Sequence, residues 1–137
     1  MTKTKYMKKL LSIGIISVVL SSFNVFSVAV ASPCNPSISI MEVHSVRVYS
    51  STDKITFKLN GLACPAGIVD VRVDGVHKMF YDNYDVAGSF VIENNDGISV
   101  THANQHVLTV DLYDNMGGWP VFAVSDSQIV TTVPDPA

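Results

Sequence analysis

A chain of 137 residues carries nine basic against twelve acidic side chains, and four of the nine (Lys3, Lys5, Lys8 and Lys9) crowd into its first ten positions. Without that segment five basic residues face twelve acidic ones, a net charge of −7, and Arg47, Lys54, Lys58, Arg72 and Lys78 lie apart from one another. Nucleic acid and anionic membrane surfaces are thereby excluded as partners, because both are held by clustered Lys and Arg.

The early lysines precede an uncharged apolar run that starts at Leu10 and closes with Ala29-Val30-Ala31. That order is the pattern of a secretory signal peptide. Its most continuous apolar part, residues 10–20, is followed by Ser21, Ser22 and Asn24 and is short for a helix crossing about 30 Å of hydrocarbon. Residues 1–31 are therefore expected to be a cleaved signal, leaving 32–137 as a single domain, secreted or periplasmic. A lipid anchor is not expected, since Cys34 follows Pro33 rather than a small residue.

Cys34 and Cys64 are the two cysteines, and a chain sent to an oxidising compartment is expected to pair them. Closing a loop of about thirty residues restricts the unfolded chain by about 3–4 kcal/mol. A reactive or metal-bound thiol needs a neighbouring His or a second close Cys, and neither stands nearby in sequence.

The mature chain shows period two almost throughout and no helical period, which predicts an all-β fold. Ile38 and Ile40 alternate with serines, and Val46 and Val48 resume that phase after Glu42 and His44, as a first strand with an irregular middle. Ile55, Phe57 and Leu59 alternate with polar residues and mark the clearest inward face. Gly61, Pro65 and Gly67 punctuate what reads as a connection before Val69, Val71 and Val73. Asp74-Gly75 then predicts a tight hairpin, with the return strand over 76–81. Residues 82–85 read as a loop, Phe90 and Ile92 as a short strand, and 93–97 as a turn before Ile98 and Val100. Leu108, Val110 and Leu112 share one face of a central strand, with His106 and Asp114 at its ends in the same phase. Met116, Gly117 and Gly118 turn the chain into a last strand, interrupted at 125–127.

About seven short strands with frequent turn signals describe an antiparallel sandwich. Val71-Arg72-Val73-Asp74-Gly75 and the later run His106-x-Leu108-x-Val110-x-x-x-Asp114-x-x-Gly117 resemble the bacterial immunoglobulin-like domains of secreted and surface proteins. The resemblance covers residues 55–133 and implies an immunoglobulin-like β-sandwich of about seven strands. Such domains usually stand in tandem within large proteins, whereas this one is expected to stand alone behind its signal. The strand order implied by the resemblance puts Cys34 and Cys64 at one pole, beside the connection between the last two strands. In variable-type immunoglobulin domains these loops form the recognition surface.

The resemblance thus points to a binding patch of Trp119, Met116 and Tyr113, walled by residues 61–67. Tryptophan suits that role, bringing large rigid contact area and one donor. The other reading folds Trp119 back as a hydrophobic plug over the open end. His102 and His106 have helical zinc-ligand spacing, but residues four apart on a strand lie about 13 Å from each other, and only a curled loop could join them. His44 and His77 read as half-exposed strand residues. Asp111, Asp114 and Asn115, or Glu93, Asn94, Asn95 and Asp96, carry oxygens suited to calcium at no recognised loop spacing. No glycine-flanked nucleophile or paired carboxylates stand out, so no cofactor, metal or reaction is expected. The leading expectation is a secreted, non-enzymatic recognition protein contacting a protein or glycan. An assembly subunit pairing through a sheet edge is the second, and a small ion-dependent glycan-binding or hydrolytic module the third.

Overall fold

The computed structural model describes residues 34–116 and 118–134; the expected signal segment lies outside them. Six strands follow in order: β1 (Ser37–Tyr49), β2 (Thr52–Val73), β3 (Val76–Tyr81), β4 (Ala87–Thr101), β5 (Gln105–Met116) and β6 (Trp119–Val133). Among the described residues there is no helix long and apolar enough to cross a membrane.

The apolar phase of each alternating run turns inward. Ile55, Phe57, Leu59, Val69, Val71 and Val73 on β2 meet Leu108, Val110 and Leu112 on β5, all essentially buried. Ile38 and Ile40 from β1 and Phe90 and Ile92 from β4 close the same core. Polar residues between them face outward, as period-two pleating requires.

β2 organises the topology. Its first half runs antiparallel to β1, from Ser37↔Leu62 to Tyr49↔Thr52, and to β4, from Thr52↔Thr101 to Leu62↔Ser89. Its second half runs antiparallel to β3 and β5, from Gly67↔Asp114 to Val73↔Leu108. β5 pairs antiparallel with β6, which joins β1 in parallel at Ser45↔Thr132 and Val46↔Val133. Strands β1, β2, β5 and β6 thus close a four-strand ring, with β3 and β4 attached to β2.

The fold is all-β, but six strands replace the expected seven or so because residues 61–67 stay extended instead of forming a connection. The glycines there serve close approach rather than turning. A Cβ on Gly61 would lie 2.2 Å from the Ser37 carbonyl oxygen, and one on Gly67 2.3 Å from that of Tyr113. Each glycine therefore lets a neighbouring strand's backbone come in, which holds β2 in one piece between its two sets of partners. The Cys64–Pro65 peptide within this stretch is cis.

Three smaller departures share one cause, residues squeezed out of register. In β1 the pairing skips Met41, so Val43 and the buried Ser45, not Val46 and Val48, continue the inward phase. The expected turn at 93–97 is a bulge inside β4, where Phe57↔Asn94 jumps to Ile55↔Ile98 and the Gly97 N–H donates to Asn94 Oδ1 at 2.7 Å. In β6 the break falls at Ala123, between Leu112↔Val124 and Tyr113↔Phe122, rather than at 125–127. The polar residues at 125–128 are used instead as seam bonds. Ile40 N–H donates to Asp126 Oδ2 at 2.8 Å, and Gln128 Nε2 donates to the Ile40 carbonyl at 3.4 Å.

Candidate functional site

One end of the ring carries the disulfide. Cys34 and Cys64 are bonded to each other, and the Cys64 N–H donates to Asp114 Oδ1 at 3.1 Å. Asp114 is buried at the inward-facing end of β5, so its charge is spent on holding this stretch of β2. Beside it the β5–β6 hairpin closes with Met116↔Trp119. Trp119 is 76% exposed and therefore stands in water, not over the core.

The four residues that open β6, Trp119, Pro120, Val121 and Phe122, are all exposed. Runs of exposed apolar residues are rare in a well-patterned chain unless they contact something. Pleating divides them between two faces. Trp119 and Val121 pair with Met116 and Asp114, whereas Pro120 and Phe122 pair with Asn115 and Tyr113 on the opposite side. The three sequence-selected residues therefore meet at one hairpin but not on one surface, and the Met116 side chain lies outside what is described.

On the outer face Tyr113 packs edge-on against Phe122, with ring centroids 5.8 Å apart at 76°. Tyr113 also lines a shallow cleft of about 390 Å³ with Ile68, Asp70, His77, Phe80 and Pro120. Its walls are apolar, and its polar rim is Asp70, which accepts from His77 Nδ1 and faces the Arg72 guanidinium. Arg72 also pairs with Asp111, which takes a further 2.7 Å bond from Ser125 Oγ. Arg72 thus ties the two carboxylates together, and the cleft presents flat rings beside a hydrogen-bonding edge.

The opposite end is held by a buried carboxylate that periodicity alone did not single out. Asp53 opens β2 in the same phase as Ile55, Phe57 and Leu59, and is fully buried. It accepts from His106 Nε2 at 2.7 Å, His102 Nδ1 at 2.8 Å, Ala103 N–H at 2.9 Å and Thr132 Oγ1 at 3.2 Å. The other nitrogen of His106, Nδ1, lies 2.6 Å from Asp74 Oδ2, and Asp74 Oδ1 accepts the Val107 N–H at 2.8 Å. A neutral imidazole has one N–H, so a ring held between two carboxylates is an imidazolium. Burial would push its pKa down, but the bonds to Asp53 and Asp74 outweigh this and raise it. Burial would likewise raise Asp53 and Asp74, yet their hydrogen bonds, His106 foremost, hold both below the usual carboxylate range.

This clasp accounts for His102 and His106 without a metal. Residues 102–104 leave the strand path, and that curl brings both rings to one carboxylate. With each nitrogen of His106 taken and the ring 1% exposed, it has no site from which to accept a substrate proton. Asp111 and Asp114 point to opposite faces and are separately engaged, while Asn94 donates to Tyr81 Oη at 3.2 Å. His44 and His77 are exposed, and His77 pairs with Asp70. Among the described residues no three His, Cys, Asp or Glu side chains converge as a metal-ligand set.

Comparison with protein-family models, with curated proteins and with solved structures finds no match to this chain. The geometry alone therefore carries the functional argument. It defines an all-β, disulfide-bonded scaffold, compatible with an oxidising, extracytoplasmic location.

Proposed function

We propose that the chain is an exported, non-enzymatic recognition module, an immunoglobulin-like sandwich that contacts a protein or glycan with the hairpin at its disulfide end. The sandwich reading rests on dividing β2 near Pro65. Seven strands result, with β1, the first half of β2 and β4 forming one layer and β3, the second half of β2, β5 and β6 the other. Export rests on the N-terminal sequence pattern and the disulfide together.

The observation that carries the binding reading is the four-residue apolar run from Trp119 to Phe122, exposed throughout and anchored to a rigid ladder. Trp119 serves one side of the ribbon, and Tyr113 with Phe122 and Phe80 the other, so a partner grips the hairpin across its tip. Large aromatic side chains held on a fixed backbone lose little entropy on binding. The test is affinity capture from culture medium and host extract with wild type, Trp119→Ala and Tyr113→Ala. Trp119→Ala is expected to abolish capture while shifting the melting temperature by less than about 3 °C, because an exposed substitution moves stability by only about 0.5 kcal/mol. Undiminished capture by Trp119→Ala together with a large stability loss would reject the proposal.

Sheet-edge assembly is the second reading. It is favoured by exposed Val121 and Ile129 on β6, whose backbone pairs with β1 only at Thr132 and Val133. An edge-driven assembly elutes as an oligomer on sizing, whereas the recognition module elutes as a monomer.

A further inference from the structure

Arg47 sits on β1 directly opposite Asp53, yet Asp53 spends its charge on His102 and His106. Among the described residues Arg47 has no carboxylate within ion-pair distance. Its Nε is buried and has no hydrogen-bond partner there. A buried donor on a permanent cation costs free energy unless an acceptor reaches it. Arg47 also lines a small recess of about 110 Å³ together with His102, Asn104, Thr132 and Pro134.

The walls of that recess are fixed from below. His102 is bonded through Nδ1 to Asp53, which leaves Nε2 as the uncommitted ring nitrogen. Its own N–H donates to the Ser51 carbonyl at 2.9 Å, and the Asn104 carbonyl accepts the Thr132 N–H at 2.8 Å. Thr132 Oγ1 is held by Ser45 Oγ at 2.9 Å and by Asp53. A guanidinium, an imidazole and a primary amide thus border one concavity on an otherwise rigid frame. The nearest acid, Asp53, has both oxygens occupied by donors and lies beneath it.

We propose that Arg47 and Asn104 form a binding site for a single carboxylate group, with His102 as a wall of the recess. The recess is large enough for a carboxylate group. The planar guanidinium matches two carboxylate oxygens side by side, a geometry that a tetrahedral oxyanion copies less well. The site lies at the opposite end from Trp119 and is independent of the role assigned to that residue.

The test uses amide chemical shifts of the isotope-labelled mature protein at constant ionic strength. The probes are sodium acetate, a glutamate-containing dipeptide and inorganic phosphate. Acetate should produce saturable shifts at Arg47, His102, Asn104 and Thr132, with phosphate at least about tenfold weaker. Arg47→Gln should weaken acetate binding by about tenfold or more, the loss of a charged hydrogen bond. Arg47→Lys, which keeps the charge and loses the fork, should fall between the two and guards against a folding defect in the first variant. Binding of the dipeptide as tight as or tighter than acetate extends the site to acidic peptides; binding of acetate alone restricts it to small acids; both support the proposal. Non-saturable shifts, equal affinity for phosphate, or unchanged binding in Arg47→Gln would overturn it.

Discussion

Asp53→Ala is expected to destabilise the protein by about 3–5 kcal/mol, the cost of stranding a buried charge after its partner is removed. For a domain of this size that is a drop in melting temperature of about 15–30 °C. The reason lies in the number of groups orphaned at once. His106, fully enclosed, loses one of its two counter-charges, and His102, the Ala103 N–H and Thr132 lose their shared acceptor. The same cluster sets a pH profile. His106 is raised above its ordinary 6.5, so its contribution is complete below that pH and is lost as pH climbs through the raised value. Asp53 and Asp74 are lowered below 3.8, so theirs is complete above that pH and is lost as acid carries it through the depressed values. Urea midpoints should accordingly be highest between about pH 4 and 6.5 and decline in alkali. Asp53→Ala should flatten that alkaline decline. A variant that melts within a few degrees of wild type, with an unchanged pH slope, would show that the clasp contributes little.

Reducing the Cys34–Cys64 bond is expected to lower stability by about 3–4 kcal/mol, since the bond closes a loop of about thirty residues in the unfolded chain. Such a loss is a large share of the 5–15 kcal/mol that holds a typical domain together. The clasp stands at the start of β2, at Asp53, and the disulfide just past its midpoint, at Cys64. The two are therefore expected to act nearly additively, because they share no partner. Denaturation of Asp53→Ala with and without reductant checks both statements. A reductive loss under about 1 kcal/mol would mean that the residues near Cys34 are ordered by other contacts.

Much of this architecture was readable from period two alone. The inward phases of residues 55–59, 69–73 and 108–112 became the core, and Asp74-Gly75 became the hairpin, with φ of 53° and 82° at its two positions. What periodicity misjudged were the places where glycine and polar residues do something other than turn the chain. Gly61 and Gly67 look like loop residues in a linear string, and only the neighbouring strands reveal that each leaves room for a carbonyl. Ser125 and Asp126 read as a break, yet they bond to Asp111 and to the β1 backbone.

The site divides in the same way. Trp119 could be chosen from its place on a turn, but residue parity also separates it from Tyr113, and that was legible in advance from the pleat of an uninterrupted hairpin. Asp53 was missed although it stands two residues before Ile55 in the buried phase, and a carboxylate in that position calls for partners. His102 and His106 stand at helical zinc-ligand spacing, and only a curled loop joins them. Their common partner could not be read from spacing, because a three-residue departure from the strand path decides where His102 points. The sequence resemblance turned on His106, Asp74 and Asp114, and in this structure those side chains tie strands together: His106 to Asp74, Asp114 to the Cys64 backbone.

The proposed recognition surface is an aromatic hairpin that stands free in water on a rigid frame. Trp119 is the chain's single tryptophan, so its native fluorescence reports on that position alone. Emission at the wavelength of aqueous indole, readily quenched by iodide and scarcely moved by denaturant, is the predicted result. A blue-shifted, iodide-protected emission that moves red on unfolding would place the ring inside the protein and contradict the proposed recognition surface.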